Sequence, residues 1–347
     1  MRCAAPAEVS TMTSVGRGAV AVGDIKGVLS LYAAKRGSLE RISSKRTHGF
    51  CPITALAFSN MSSLASVGEG GSLCVCDMRR STQTTMRKYE EIDSCSLNDV
   101  MFLRDSGNHL LWTAGSNPCA QLQLWDIRTA STTGELVMSP SQWEKDVDSR
   151  ASHNCIAQHR SEPHILISGS SSGHVCFWDV RKGSAKSNER NGQGLIVSHR
   201  FHPLGAVRSL EVVPGSHSKT CLLSCGDGGH LVLTDVDQCV YGQMGARAIA
   251  SRVIHRNALG LNCVVTHVSE TLSNDRRIFV ASNSGEITSL QFKAPSGGVV
   301  GSSRLAIGNG SSNMGRSGSG RRGMMALRDV PSSRGSSSVS TMGFGDF

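Results

Sequence analysis

Residues 165–179 read ILISGSSSGHVCFWD and carry the pattern that decides the fold of this chain. A short apolar run leads into a turn of glycine and serine, and a second apolar run then ends in Trp178 and Asp179. Apolar runs bounded by glycine-rich turns are typical of buried β-strands, because glycine adopts the backbone angles that tight turns require. The stretch therefore predicts two strands joined by a tight turn.

The same unit recurs along the chain, and such recurrence is the signature of a repeat architecture. Six copies are present, at residues 19–32, 64–77, 110–126, 165–179, 221–235 and 278–292. Four of them end in an aspartate, and Asp77, Asp126, Asp179 and Asp235 follow one another at intervals of 49, 53 and 56 residues. An additional strand precedes most copies, and the segments between them lack the period of a helix. This arrangement predicts an all-β fold, a β-propeller with six clear blades.

The composition excludes several classes of protein. Only 18% of the 347 residues are charged, so most of the chain is not of the charge-driven disordered kind. No apolar run reaches about 18 residues, so we predict no membrane insertion. Six of the twelve cysteines lie within apolar strand-like runs, at Cys74, Cys76, Cys176, Cys221, Cys225 and Cys263. This placement favours reduced, buried thiols, and no zinc-site spacing is present, so we predict no metal and no cofactor.

The chain divides into three predicted parts. We expect a flexible N-terminal segment at residues 1–17, the propeller at 18–294 and a disordered tail at 295–347. The tail is rich in glycine, serine and arginine, and such a segment cannot bury enough apolar surface to offset its conformational entropy. From Lys293 onward the chain has seven lysine and arginine residues against two aspartates, which is more than half of the net charge of +9. These arginines are consistent with weak nucleic-acid contact or with a solvated terminus.

Two segments resemble the ends of WD repeats: residues 125–128 read WDIR and residues 178–181 read WDVR. Cys76 and Thr234 stand where these two copies have tryptophan, directly before Asp77 and Asp235. The resemblance implies that blades are held together by hydrogen bonds among the strand-ending tryptophan, a turn acid, histidine, and serine or threonine. The structural WD-repeat positions are accordingly Asp77, Trp125, Asp126, Trp178, Asp179 and Asp235.

Residues 18–292 also resemble the small WD-repeat nucleoporin family of the Y-shaped outer-ring scaffold of the nuclear pore. The resemblance rests on the order and linkers of the blades at residues 65–71, 98–103, 123–128, 168–181 and 278–292. It implies a non-catalytic scaffold at the nuclear envelope, with a role in nuclear pore assembly and in protein and mRNA transport. The implied partners are an α-solenoid nucleoporin and other outer-ring subunits. The family is expected to have seven blades, so a seventh lies within residues 237–257 or is missing.

A second interpretation is a WD-repeat substrate receptor of a cullin-type ubiquitin ligase, in which an arginine after Trp-Asp contacts the adaptor. Arg128 and Arg181 occupy that position. The competing explanation of both arginines is an ion pair on an outer strand. The sequence contains no phosphate-binding loop ending in Lys-Ser or Lys-Thr, no His-Glu-x-x-His motif and no Gly-x-Ser-x-Gly motif. We therefore predict no catalytic residues and no enzymatic activity.

Overall fold

The structure is a computed structural model. It describes residues 8–16, 18–35, 38–59, 62–78, 84–90, 95–104, 109–118, 120–129, 136–138, 150–183, 193–214, 220–242, 251–268, 275–293 and 298–306. The strands within these residues form six four-stranded antiparallel sheets, numbered 1 to 6 in chain order.

Each sheet consists of four strands that are consecutive in the chain. Sheet 1 contains β1 (Val9–Ser14), β2 (Ala19–Asp24), β3 (Val28–Lys35) and β4 (Ser38–Arg46), and sheet 2 contains β5 (Ile53–Phe58), β6 (Ser63–Gly68), β7 (Ser72–Asp77) and β8 (Thr84–Glu90). Sheet 3 contains β9 (Leu97–Phe102), β10 (Leu110–Gly115), β11 (Leu122–Asp126) and β12 (Leu136–Met138), and sheet 4 contains β13 (His153–Gln158), β14 (Ile165–Ser170), β15 (His174–Gly183) and β16 (Gln193–Arg200). Sheet 5 contains β17 (Val207–Pro214), β18 (Thr220–Gly226), β19 (His230–Asp235) and β20 (Ser251–Arg256), and sheet 6 contains β21 (Leu261–Val268), β22 (Asp275–Ser282), β23 (Glu286–Lys293) and β24 (Gly298–Ala306).

The first strand of every sheet is its inner strand. Residues from all six inner strands line one central cavity of about 500 Å³. The six sheets are therefore arranged radially around a channel, and the predicted all-β propeller with six blades is confirmed.

Neighbouring sheets pack face to face through apolar cores. Five clusters of buried side chains fill the interfaces from sheet 1 to sheet 6 in order, and each cluster combines residues of two adjacent sheets. The largest fully buried side chains are Trp112, Trp178 and Phe177. Burying a large apolar side chain contributes roughly 1.5–3 kcal/mol, so these interfaces are the main source of stability.

A β-bulge recurs near the start of all six inner strands. The extra residues, here called the bulge residues, are Ser10, Thr54, Asn98, Asn154, Arg208 and Asn262. In sheets 1 to 4 the bulge side chain donates a hydrogen bond to a backbone carbonyl oxygen of the next sheet: Ser10 to Ile53, Thr54 to Leu97, Asn98 to His153 and Asn154 to Val207, at 2.5, 2.5, 2.9 and 3.2 Å. A repeated polar link therefore joins sheets around the channel in addition to the apolar cores.

Glycine at the turn between the second and third strands permits the close approach of the linker that follows the sheet. Gly173 has φ +84, and a Cβ there would collide with the backbone carbonyl oxygen of His202. Gly27, Gly71, Gly229 and Gly285 also have positive φ at the corresponding turns of four other sheets. At Gly27, Gly173 and Gly229 the sheet and the linker therefore pack without room for a side chain, whereas no described atom lies within 4 Å of the Cβ position of Gly285.

The structure corrects both predicted boundaries of the propeller. Val9–Ser14 lies within the segment expected to be flexible, yet it pairs with β2 as the inner strand of sheet 1. Gly298–Ala306 lies within the predicted tail, yet it pairs with β23 as the outer strand of sheet 6. Both strands are rich in serine, threonine or glycine, so their composition concealed them. Residues 307–347 of the tail lie outside the described residues.

Two further expectations concern residues 237–257 and the cysteines. Helix α1 (Val236–Tyr241) and strand β20 occupy the described part of 237–257, so no additional sheet lies there. Cys74, Cys76, Cys176 and Cys225 are buried as predicted, whereas Cys221 is half-buried and Cys263 is exposed. Helix α1 has six residues, and no helix among the described residues is long and apolar enough to span a membrane.

The turn glycines give a direct test of this packing. We expect Gly173→Ala to lower the free energy of unfolding by about 3 kcal/mol, because the new Cβ adds a backbone collision to the strain of a positive φ. Gly49→Ala is the matched control, since Gly49 has φ +61 and no described neighbour within 4 Å of its Cβ position, and it should cost only about 1 kcal/mol. Denaturant unfolding of both variants measures the difference, and equal losses would contradict the collision.

Candidate interaction surfaces

The two strand-ending tryptophans lie inside the interfaces between sheets. The indole Nε1 of Trp125 donates a hydrogen bond to Thr113 Oγ1 at 2.8 Å, and Trp178 Nε1 donates to Ser168 Oγ at 2.8 Å. All four side chains are buried. Since a buried N–H without a partner is costly, these bonds allow the tryptophans to serve as apolar packing elements. Their position supports a structural role.

Asp126 and Asp179 pair with Arg128 and Arg181, the two arginines that would contact the ligase adaptor in the alternative interpretation. Arg128 Nε donates hydrogen bonds to Asp126 Oδ1 and Oδ2 at 2.9 and 3.1 Å, and Arg128 Nη2 also contacts Asp126 Oδ2. Arg181 Nε donates to Asp179 Oδ1 at 2.9 Å, and Arg181 Nη2 donates to Asp179 Oδ2 at 2.8 Å. The hydrogen bonds from the arginines lower the pKa of both carboxyl groups. Arg128 and Arg181 are 63% and 65% exposed, but each guanidinium group already pairs with the aspartate two residues before it.

The other two aligned aspartates do not follow a tryptophan. Asp77 ends β7 directly after Cys76, which is buried in the place of tryptophan. Asp235 ends β19 and accepts a hydrogen bond from the backbone N–H of Gln238 at 3.0 Å. It is therefore the N-cap of α1. Asp126 and Asp179 are the two that pair with arginine within the Trp-Asp-x-Arg pattern.

Two buried histidines form hydrogen bonds with serine side chains, which are among the residue types that the WD resemblance implied. His48 lies 2.8 Å from Ser66 Oγ and 2.7 Å from Ser72 Oγ, and His202 lies 2.9 Å from Ser224 Oγ. The serines are at most 9% exposed, so these Ser-His pairs have little or no contact with solvent or substrate. Their place in the core supports a structural role instead of nucleophilic catalysis. Among the described residues, no group of three histidine, cysteine, aspartate or glutamate side chains could hold a metal ion.

Antiparallel strands give the propeller two different faces. The aspartate face is the one where the third strands end, and it carries Arg128 and Arg181. On this face Tyr241 of α1 hydrogen-bonds to Glu162, which also lies 3.3 Å from His164 Nε2. The opposite face, here called the linker face, carries the linkers between sheets and the glycine turns. At sheets 4 and 5, the polar side chains named here on the aspartate face therefore pair with one another.

The linker face exposes large apolar side chains. Phe50 is 81% exposed, Leu204 is 71% exposed and Leu259 is 54% exposed, and each lies in a linker just before an inner strand. Leu204 approaches Gly228, and Gly260 beside Leu259 approaches Asp227, so one turn of sheet 5 lies between the two leucines. Arg46 stacks 4.2 Å from the centre of the Phe50 ring. Exposed apolar groups on rigid linkers are characteristic of protein-binding surfaces.

Sequence reasoning did not identify these linker residues. Phe50, Leu204 and Leu259 stand in short segments beside glycine or cysteine, and only the fold determines that no neighbouring strand covers them. A usable signal was their shared position, two or three residues before an inner strand.

Histidine burial predicts a specific loss of stability in acid. Burial lowers the pKa of His48, His153 and His202 to about 4, with smaller contributions from nearby cationic groups. Because the unfolded imidazoles titrate near 6.5, the unfolded chain binds more protons between about pH 6.5 and 4. Stability should therefore fall as the pH is lowered through this window, by up to about 1.4 kcal/mol per pH unit for each histidine.

The variant His202→Gln isolates one of these contributions. Its free energy of unfolding should depend on pH less steeply than that of the parent by up to about 1.4 kcal/mol per pH unit. Comparing the two slopes cancels the opposite contribution of Asp99, whose pKa burial raises to about 7 against the hydrogen bonds from Ile156 and Val100. Urea unfolding at pH 4.5 to 7 measures both slopes, and identical slopes would refute a neutral buried His202.

Comparison with curated proteins gives two relatives of related sequence. The chain is 27% identical to nucleoporin Nup43 of Homo sapiens over 158 residues, which are 45% of this chain and 38% of that protein. It is 26% identical to nucleoporin Nup43 of Mus musculus over 161 residues, which are 46% of this chain and 39% of that protein. The chain thus spans about two fifths of the length of the curated relatives that it matches. No protein-family model matches the sequence.

Comparison with solved structures supports the fold independently. The β-propeller domain of Cps50 (Swd1) from Myceliophteria thermophila superposes with a TM-score of 0.62 and 15% sequence identity, over 88% of this chain and 89% of that one. At this identity the likeness concerns the fold alone. Together with the partial likeness to Nup43 and the Trp-Asp strand ends, it shows that the chain is a WD-repeat β-propeller protein of nucleoporin-like sequence.

Proposed function

We propose that this protein is a non-catalytic scaffold, a β-propeller nucleoporin of the outer-ring Y-shaped subcomplex that supports nuclear pore assembly and transport of protein and mRNA. Its place would be the nuclear envelope, at the nuclear pore complex. Its partners would be an α-solenoid nucleoporin and other outer-ring subunits. The observation that carries the proposal is the sequence similarity to Nup43, joined to a propeller whose buried polar side chains serve packing.

The linker face is our candidate for the contact with these partners. Leu204 and Leu259 present exposed apolar side chains on either side of one turn, and Phe50 presents a third on the same face. Interfaces derive most of their affinity from a few apolar or aromatic anchors that become buried on binding. A rigid support also reduces the entropy lost on association, because the anchors are already positioned.

The double variant Leu204→Asp, Leu259→Asp tests the partner surface. We expect it to reduce co-purification of outer-ring nucleoporins by about tenfold, because two charged groups would replace the apolar anchors. Tyr241→Ala is the matched control, since Tyr241 is 55% exposed on the opposite face, and it should co-purify at the parental level. Equal recovery with both variants would exclude the linker face as the contact.

Imaging of the tagged full chain tests the proposed location. A punctate nuclear rim is expected, and a uniform nuclear or cytoplasmic signal would contradict the nucleoporin assignment.

Co-purification with the same tagged chain tests the alternative function, a substrate receptor of a cullin-type ubiquitin ligase. Recovery of the ligase adaptor, lost in Arg181→Ala or Arg128→Ala, would favour that alternative. Weak nucleic-acid contact by the tail concerns residues outside the described part of the chain and stays a prediction.

A further inference from the structure

The turn between the second and third strands of sheet 5 is held between two linkers. A Cβ at Gly228 would lie 3.0 Å from the Cβ of Leu204, in the linker from sheet 4, and a Cβ at Gly260 would lie 2.8 Å from the carbonyl oxygen of Asp227. Gly260 belongs to the linker to sheet 6 and directly follows Leu259. The turn and the two linkers thus form one continuous surface. We call it the saddle, and its residues are Leu204, Leu259 and the turn at 226–229.

The saddle has apolar rims and a floor with few side chains. Leu204 and Leu259 are largely exposed. Three of the four turn residues are glycine, and the fourth, Asp227, pairs with Arg208 at 2.7 and 3.0 Å. Because one sheet separates the two linkers and packed sheets are spaced by about 10 Å, the leucines should be about 10 Å apart. An α-helix with its side chains is about 10 Å wide, so it fits between them.

The backbone of the saddle is already hydrogen-bonded. The N–H group of Asp227 donates to the carbonyl oxygen of Ala206 at 3.0 Å. Gly229 donates to the carbonyl oxygen of Gly226 at 3.0 Å and accepts from the N–H group of Asn257 at 2.8 Å. An extended ligand that binds by strand addition needs a row of free backbone groups. The saddle therefore favours recognition through side chains, as when an amphipathic helix binds a groove.

Each linker of the saddle has an arginine three or four residues before its leucine. Arg200 ends β16 and Arg256 ends β20, and both are exposed. Arg200 donates to the carbonyl oxygen of Pro203 at 3.3 Å, a neutral partner that leaves its charge uncompensated. Among the described residues neither arginine forms an ion pair. Glu286, which follows the turn of sheet 6, is half-buried. The exposed charge beside the two leucines is therefore positive.

This charge selects among occupants. The tail at 307–347 has five arginines against two aspartates, and a second copy of the chain would present the same arginines. Neither complements a cationic surface. A partner with carboxylates beside its apolar residues does.

We propose that the saddle receives an amphipathic helix of a partner protein, with an apolar stripe bordered by acidic residues. The stripe lies over the glycine-rich turn and contacts both leucines, since residues three and four apart share one face of a helix. The bordering carboxylates pair with Arg200 and Arg256. This inference rests on the linker-face contact of the proposed function, for which it names the chemistry of the partner.

Synthetic helices of about 18 residues test the proposal on the full chain. One peptide has leucines three and four residues apart, bordered by glutamates. A second has lysines in place of the glutamates, and a third has the composition of the first with its leucines distributed around the helix. Fluorescence anisotropy of the labelled peptides measures their dissociation constants. We expect the first to bind at least about tenfold more tightly than either of the others, because it alone matches both the leucines and the arginines. Equal affinity of the first peptide and either other peptide would overturn the proposal.

A double charge reversal locates the binding. Arg200→Glu, Arg256→Glu should reverse the preference, so that the lysine peptide binds at least about tenfold more tightly than the glutamate peptide. Both arginines are exposed, so the thermal unfolding midpoint should remain near that of the parent. Arg160→Glu, Lys182→Glu is the matched control, because it makes the same charge change at exposed residues of the aspartate face, and the parental preference should persist. Reversal in both variants, or in neither, would overturn the assignment to the saddle.

Competition and sedimentation distinguish the other occupants. A synthetic peptide of residues 307–347 should not displace the glutamate peptide, and displacement would assign the saddle to the tail. Self-association of the parent that Arg200→Glu, Arg256→Glu abolishes would assign it to a second copy. Either result would overturn the partner proposal.

Failure of this inference and failure of the proposed function give different results. Peptide binding requires no nucleoporin, so a tagged chain that recovers no outer-ring nucleoporin overturns the nucleoporin assignment, while the peptide preference still supports the helix. Recovery of outer-ring nucleoporins without any peptide preference overturns the helix alone.

Discussion

Face-to-face packing of each sheet on the next is the constraint on which the rest of this structure depends. A four-stranded sheet of this size buries few side chains by itself, and both of its surfaces here are largely apolar. Stacking covers the surfaces of sheets 2 to 5 on both sides, as the burial of Trp112 and Trp178 shows. Because each sheet contacts only its neighbours, stability is a sum of sheet and interface contributions, as in other repeat proteins.

Polar groups give this packing its direction. The bulge residues donate from one sheet to a carbonyl group of the next, so they fix the spacing and rotation of adjacent sheets where apolar contact alone would not. In sheet 5 the bulge residue Arg208 instead pairs with Asp227 of its own sheet at 2.7 and 3.0 Å. The succession of links thus ends before sheet 6. A body held in this way keeps its linkers in place and can present Leu204 and Leu259 as preorganised anchors.

The fold could be predicted from the sequence because its determinants are local. Apolar runs of strand length, glycine turns and the aspartates at 77, 126, 179 and 235 give the number of sheets and their third strands. The strands Val9–Ser14 and Gly298–Ala306 were missed because serine, threonine or glycine replaces much of the apolar pattern in them. Alignment of the inner strands would have revealed the bulge residues, since a polar residue follows Ile53, Leu97, Val207 and Leu261. The exposed surfaces depend on which sheets meet, and no local pattern records that.

Amide hydrogen exchange tests the central claim most directly, because it reports how far each sheet is stabilised by its neighbours. The second strands β2, β6, β10, β14, β18 and β22 are all central within their own sheets. If packing on both sides governs stability, the amides of β6, β10, β14 and β18 should exchange at least about tenfold more slowly than those of β2 and β22, whose sheets are fully packed on one side only. Equally slow exchange in all six strands would contradict the account.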